Sequence, residues 1–238
     1  MIYAVSDIHG CCDAWLQALE AVSFSDSDTM YVLGDAVDRG PSPIRLLRDM
    51  MARPNVIPLL GNHEYMMASV LRRLLVEITA DNAENHLTAE DLLGYAAWSR
   101  NGAETTLTDL RRLSREDQED ILDYLDEFSL FEEVSAGGRD YVLVHAGFEP
   151  FVPGRPLWEY GVEHTLFAVP AREEGYFSDR WLVTGHRPTP DGRIRRVGQH
   201  FSIDCGCCFG GNLGVLRLDD LAEFYVPEPR PGAVGRHL

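Results

Sequence analysis

The chain has 238 residues, enough to bury one sizeable core, and an α/β fold of this length is expected as a single domain over 1–238. Its 38 acidic against 21 basic residues leave a formal charge of -17, which opposes non-specific binding to nucleic acid or to an anionic membrane. Every Lys/Arg position is arginine, so Schiff-base chemistry and a P-loop lysine are excluded, and kinase and P-loop nucleotidase readings fall with them.

From Met1 the chain runs straight into an apolar strand-like stretch at 2–5, with no basic leader and longer apolar run, so no secretory signal is expected. No segment approaches the length of a membrane span, and a cytoplasmic protein is the expectation. Short apolar runs at 2–5, 30–33 and 56–60, bounded by Gly, Asp or Pro, alternate with helical patterns at 15–22 and 44–51, which predicts a βαβαβ opening. Between 64 and 133 the period turns helical. Met66, Val70, Leu71, Leu74 and Leu75 share one face, Ile121, Leu122 and Leu125 share another, and Ser114-Arg115-Glu116-Asp117 fits a helix N-terminus. This stretch reads as a helical insertion between the site-bearing segments. Strands at 141–144, 181–184 and 201–203 follow, and 215–218 with 223–226 predict a closing hairpin across Asp219-Asp220. The tail from 227 to 238, rich in Pro, Gly and Arg, is expected to fray.

Five segments end or follow strand-like runs with residues suited to metal or phosphate: Asp7-Ile8-His9-Gly10, Gly34-Asp35-Ala36-Val37-Asp38-Arg39-Gly40, Gly61-Asn62-His63-Glu64, His145-Ala146-Gly147 and Gly185-His186. Asp7, His9, Asp35, Asn62, His145 and His186 supply oxygen and imidazole donors without a thiolate, a set that fits manganese first and also iron or zinc. Asp7 and His9 lie two apart where a strand meets its loop, so alternation puts both on one side. Sites in α/β sheets assemble outside the carboxyl ends of strands, which lets segments so distant in sequence converge. Any one of these residues has an ordinary explanation as a turn cap or structural histidine. The set does not, and it predicts a two-metal phosphoesterase. Within it, Arg39 has the fork geometry for a phosphate.

The chain resembles the phosphoprotein-phosphatase branch of the calcineurin-like metallophosphoesterases, in particular small bacterial and phage members such as lambda phosphatase. Beyond the five segments, Trp98-Ser99-Arg100-Asn101-Gly102 with Thr105 is similar to a W-x-x-N-G-G-x-x-T element, with Ala103 in place of its second glycine. Ile203-Asp204-Cys205-Gly206 with Phe209-Gly210-Gly211 is similar to a closing I-D-T-G-x-x-x-G-G strand. The resemblance implies a sandwich of two sheets flanked by helices. It implies that Asp7, His9 and Asp35 hold one divalent ion, that Asp35, Asn62, His145 and His186 hold a second, and that a water shared by the ions attacks phosphorus in line. It also implies that His63 protonates the leaving oxygen while Asp38 orients the imidazole. The family usually adds a second phosphate-binding arginine after the His-Ala-Gly segment. Here 166–174 lacks that element's tryptophan and carries a proline, which leaves Arg172 as the candidate.

The expected substrate is a phosphorylated protein, on serine, threonine or tyrosine, or a small phosphoester. The alternative is a symmetrical diadenosine-tetraphosphate hydrolase on the same scaffold. In that relative the second segment tends to end Ala-Arg-Gly and the third reads Gly-Asn-His-Asp, so Asp38-Arg39-Gly40 and Glu64 favour the phosphatase. A non-catalytic phosphate-binding scaffold should have lost ligands, and none is missing. The cysteines, Cys11-Cys12 and Cys205, Cys207 and Cys208, lack zinc-ribbon spacing and are expected as reduced thiols in buried turns.

Overall fold

The structure, a computed structural model, describes residues 1–79, 87–168 and 173–227. The opening follows the predicted order: β1 (Ile2–Val5), α1 (Cys12–Ala21), β2 (Thr29–Val32), α2 (Pro43–Met51) and β3 (Val56–Pro58). Pro43 starts α2, where its missing N–H costs nothing. Four helices follow, α3 (Asn62–Leu74), α4 (Ala89–Arg100), α5 (Glu104–Leu110) and α6 (Arg115–Asp126). Ser114 caps α6 by accepting from the Asp117 N–H, as its sequence predicts.

The helical stretch ends before 133. β4 (Phe131–Ala136) pairs antiparallel with β5 (Arg139–Val144), and its alternation of exposed Glu133 and Ser135 with buried Val134 and Ala136 is a strand period that the acidic composition disguises. After α7 (Val162–Thr165) come β6 (Trp181–Thr184), β7 (Arg195–Val197), β8 (His200–Ser202), β9 (Asn212–Arg217) and β10 (Glu223–Pro227). β7 carries no apolar run and was not predicted. Pro227, expected as the start of the frayed tail, instead ends β10 opposite Asn212. The remainder of that tail lies outside the described residues.

The strands form two sheets, ordered β10-β9-β1-β2-β3 and β4-β5-β6-β8-β7. Alternation along each strand divides the core into layers. Ala4 of β1 joins Tyr141 and Leu143 of β5, Val183 of β6 and Leu216 of β9 between the sheets, whereas Tyr3 and Val5 face α1, α2 and α3. On the far side of the second sheet, Val142, Val144 and Leu182 are covered by Phe148, Leu157 and Tyr160. Strands buried on both faces need near-continuous apolar sequence, which is why β1, β5 and β6 are the most legible. β1, β2 and β3 run parallel, as do β5, β6 and β8. Among the described residues, no helix is long and apolar enough to cross a membrane.

Candidate metal centre

The carboxyl ends of both parallel sets bring Asp7, His9, Asp35, Asn62, His145 and His186 together. Of the eight non-glycine residues with positive φ among those described, six are Asp7, His9, Asp35, Asp38, Arg39 and His186. Left-handed backbone at bulky residues is costly, and its concentration here marks loops bent to aim side chains rather than to save energy. Gly185 shows how tight the junction is: a Cβ there would lie 1.8 Å from Ser6 Oγ and 2.3 Å from Asp7 Oδ2.

Two of the imidazoles are oriented by the main chain. His145 Nδ1 donates to the Leu33 carbonyl at 2.7 Å, and His9 Nδ1 to the Val37 carbonyl at 2.9 Å. Those bonds assign the proton to Nδ1 and leave each Nε2 lone pair facing inward. Around one point, His145 Nε2, Asn62 Oδ1 and His186 Nδ1 lie 3.0–3.1 Å from one another. Asp35 lies between two such groups. Its Oδ1 is 3.5 Å from His145 Nε2, and its Oδ2 is 3.6 Å from His9 Nε2 and 3.9 Å from His63 Nε2. Asp7 Oδ2 accepts from the His186 N–H at 2.8 Å and from Ser6 Oγ, which leaves Oδ1 turned toward His9 at 4.0 Å.

Burial pushes the Asp7 carboxyl well up, with Asp204 adding to it, and does the same to Asp35, with Asp7 and Glu64 adding. Burial also pushes His145 down to about 3, with His186 adding, and His186 down to about 4, with Arg187 adding. Desolvated acids and neutral imidazoles with converging lone pairs are a donor set that lacks positive charge. Two clusters, His9–Asp35–His63 and Asp35–His145–His186, each present donor atoms within 4.8 Å of one another, so the residues present fit divalent cations.

His63 borders these groups, and a different partner holds its ring. Its Nδ1 meets Asp38 Oδ2 at 2.6 Å, and its buried Nε2 has no hydrogen-bond partner among the described residues. Asp38 is in turn fixed by Trp98 Nε1 at 2.8 Å and Thr106 Oγ1 at 2.6 Å. The predicted residue here was Thr105, whose buried hydroxyl has no hydrogen-bond partner among the described residues. Counted from Trp98, the motif threonine is Thr106. The Arg39 N–H donates to the Gly102 carbonyl at 2.9 Å, and a Cβ on Gly102 would lie 2.8 Å from Arg39 Cγ, so that glycine is needed for contact with the arginine. Arg39 Nη1 reaches His9 Nε2 at 2.5 Å, at the edge of the donor cluster. Ala103, at the motif's second glycine, has φ -67 and needs no glycine. Arg172 lies outside the described residues.

Sequence reasoning gave Glu64 only as a letter in a motif. Its buried carboxylate accepts the N–H groups of Asp35 at 2.8 Å, Ala36 at 2.7 Å, Val37 at 3.0 Å and Gly61 at 3.1 Å. It is a clamp for the loop that carries Asp35, Asp38 and Arg39. Its carboxylate is committed to backbone, which accounts for Glu64 structurally. Asp204 was likewise quoted but not assigned. It is buried beside Asp7, accepts the Gly206 N–H at 2.9 Å, and is raised to about 6 by burial.

A family model described as calcineurin-like phosphoesterase matches residues 1–213. An asymmetrical bis(5'-nucleosyl)-tetraphosphatase, PrpE of Halalkalibacterium halodurans, is 26% identical over 95% of this chain and 94% of its own. A symmetrical bis(5'-nucleosyl)-tetraphosphatase of Acidovorax ebreus is 36% identical over 63% of this chain and 44% of its own. Among solved structures, one provisionally described as a diadenosine tetraphosphatase aligns with a TM-score of 0.66 and 19% identity over 97% of this chain and 94% of its own. A protein serine/threonine phosphatase of Saccharomyces cerevisiae aligns with a TM-score of 0.55 and 17% identity over 97% and 80%. The two-sheet α/β fold is shared by both structures.

Proposed function

The chain belongs to the calcineurin-like phosphoesterase family and is a phosphoester hydrolase, and from that premise we propose that its substrates are dinucleoside polyphosphates, the class named by its bis(5'-nucleosyl)-tetraphosphatase relatives. The observation that carries the substrate class is the end-to-end match to one such enzyme, over 95% of this chain and 94% of the relative. This reverses the preference for phosphoproteins drawn from sequence. Of the two spellings behind that preference, Glu64 is explained by its grip on the loop backbone, and Asp38 by its bond to His63.

We assign Asp7, His9 and Asp35 to one divalent cation and Asp35, Asn62, His145 and His186 to another, with manganese as the first metal to test. Bound there, such ions supply Lewis-acid polarisation of phosphoryl oxygens and a more acidic water. The protein's own groups do the rest. Arg39 binds non-bridging phosphate oxygens through its guanidinium. His63 presents Nε2 to the leaving oxygen, and Asp38, itself fixed by Trp98 and Thr106, accepts the Nδ1 N–H and stabilises the imidazolium that gives up its Nε2 proton. The left-handed loops fix these groups before substrate arrives, so little reorganisation is required on binding.

The test is product analysis with manganese-loaded protein, diadenosine tetraphosphate and a phosphoserine/phosphothreonine peptide, with Asp35→Asn as control. ADP as the only nucleotide product would mean symmetrical cleavage, and ATP with AMP asymmetrical cleavage. Faster phosphate release from the peptide than turnover of the dinucleotide would overturn the proposal.

A further inference from the structure

Phe209 closes a short turn, Cys207–Phe209, that begins five residues before β9 and directly follows the Asp204 segment. The turn is framed by Gly206 at φ 70 and Gly210 at φ 83, left-handed positions that suit glycine and hold the aromatic outward. The ring is 66% exposed. Exposure alone carries nothing, since Trp158 and Leu93 are more exposed at 77% and 68%. What distinguishes Phe209 is its neighbour: the Arg39 guanidinium carbon lies 5.2 Å from the ring centroid, and the same guanidinium reaches His9 at the donor cluster. Beside the ring is an open cleft of about 540 Å³ whose walls include Pro188, Pro190, Gly206 and Gly211. Pro188 and Pro190, which follow His186 in sequence, form part of its wall.

A flat apolar ring in water is a platform for another flat, partly apolar ring. The cation against it is the arginine assigned to phosphate. A ligand that satisfies both carries an aromatic group a short distance from a polyphosphate. We infer that Phe209 is the stacking platform for one nucleobase of the substrate, with the adjoining phosphates on Arg39. This rests on the dinucleotide reading and extends it to a specificity-determining residue. Glycine at 210 keeps the approach open: a Cβ there would meet nothing within 4 Å, so the position serves the turn and adds no wall.

The experiment compares two non-hydrolysable probes on the manganese-loaded full chain by calorimetry: α,β-methylene-ADP and methylenediphosphonate, which share the bridge and differ by the adenosine. Wild type should bind the adenosine-bearing probe more tightly. Phe209→Ala and Phe209→Leu should each lose about 5- to 20-fold of that preference, the lower part of the range for base stacking because one face of the ring stays wet, and Phe209→Tyr should restore it. A wild-type preference that survives both Phe209→Ala and Phe209→Leu would overturn the platform and leave the nucleotide reading standing. Equal binding of both probes by wild type would overturn the nucleotide reading and the platform together. A phosphopeptide with an apolar flank losing more affinity than the adenosine probe in Phe209→Ala would assign the ring to a protein partner instead.

Discussion

Glu64→Gln isolates a part of the centre that touches neither metal nor substrate. The carboxylate accepts two N–H groups on each oxygen, from Ala36 and Val37 on Oε1 and from Asp35 and Gly61 on Oε2. Glutamine keeps one accepting oxygen and points an NH₂ at the other pair, so two buried donors lose their acceptor at about 1–3 kcal/mol each. Part of that loss is returned, because burial pushes the Glu64 carboxyl up and an amide carries no charge to desolvate. The net expectation is a loss of about 2–4 kcal/mol, or about 1 M in the urea midpoint for a chain of this size. The loop holding Asp35, Asp38 and Arg39 should loosen with it. Urea unfolding followed by circular dichroism, with manganese content measured in parallel, checks both effects. A variant with wild-type midpoint and wild-type metal content would refute the clamp.

Thr106→Val and Trp98→Phe should each lower kcat by about 10- to 100-fold with bound metal retained, whereas Thr105→Val, which removes a hydroxyl without a partner, should leave kcat near wild type; equal effects at 105 and 106 would return the motif threonine to the predicted position. His63→Asn should slow hydrolysis of an alkyl phosphate by about 100-fold or more, and of diadenosine tetraphosphate by much less, because a departing phosphate needs the proton less than an alkoxide does. Equal losses on both substrates, or loss of metal, would remove His63 from the acid role. Burial pushes His200 below its ordinary 6.5, so the unfolded chain binds its proton first as the pH falls. The stability this residue contributes is whole above about 6.5 and declines below it, so the gap between wild type and His200→Gln should narrow from pH 7 to pH 5 in denaturant titrations; a constant gap would contradict it.

The fold was legible where burial forces simple sequence. β1, β5 and β6 are covered on both faces, so their apolar runs and bounding glycines give them away. β4 and β7 show solvent one face or more, and Glu133, Ser135, Arg195 and Arg196 conceal them. The donor residues were legible because metal chemistry restricts residue type at a strand end. The residues that support them were legible only in part. Glu64 acts through backbone N–H groups that no spacing in the sequence announces, whereas Thr106 sits where the motif spacing from Trp98 places it. Substrate was least legible of all: of the letters used to choose it, Glu64 grips loop backbone and Asp38 holds His63.

The centre draws on both sheets, with Asp7, His9, Asp35 and Asn62 at the ends of one and His145 and His186 at the ends of the other. During synthesis the first four of these emerge together early, and the last two arrive much later. At ribosomal rates of about 5–20 residues per second, the interval from Asn62 to His186 is on the order of ten seconds. On the proposed assignment, the nascent chain for that time carries all three residues for one cation and two of the four for the other. The second set is completed only when the second sheet docks and brings His145 and His186 to Asp35 and Asn62.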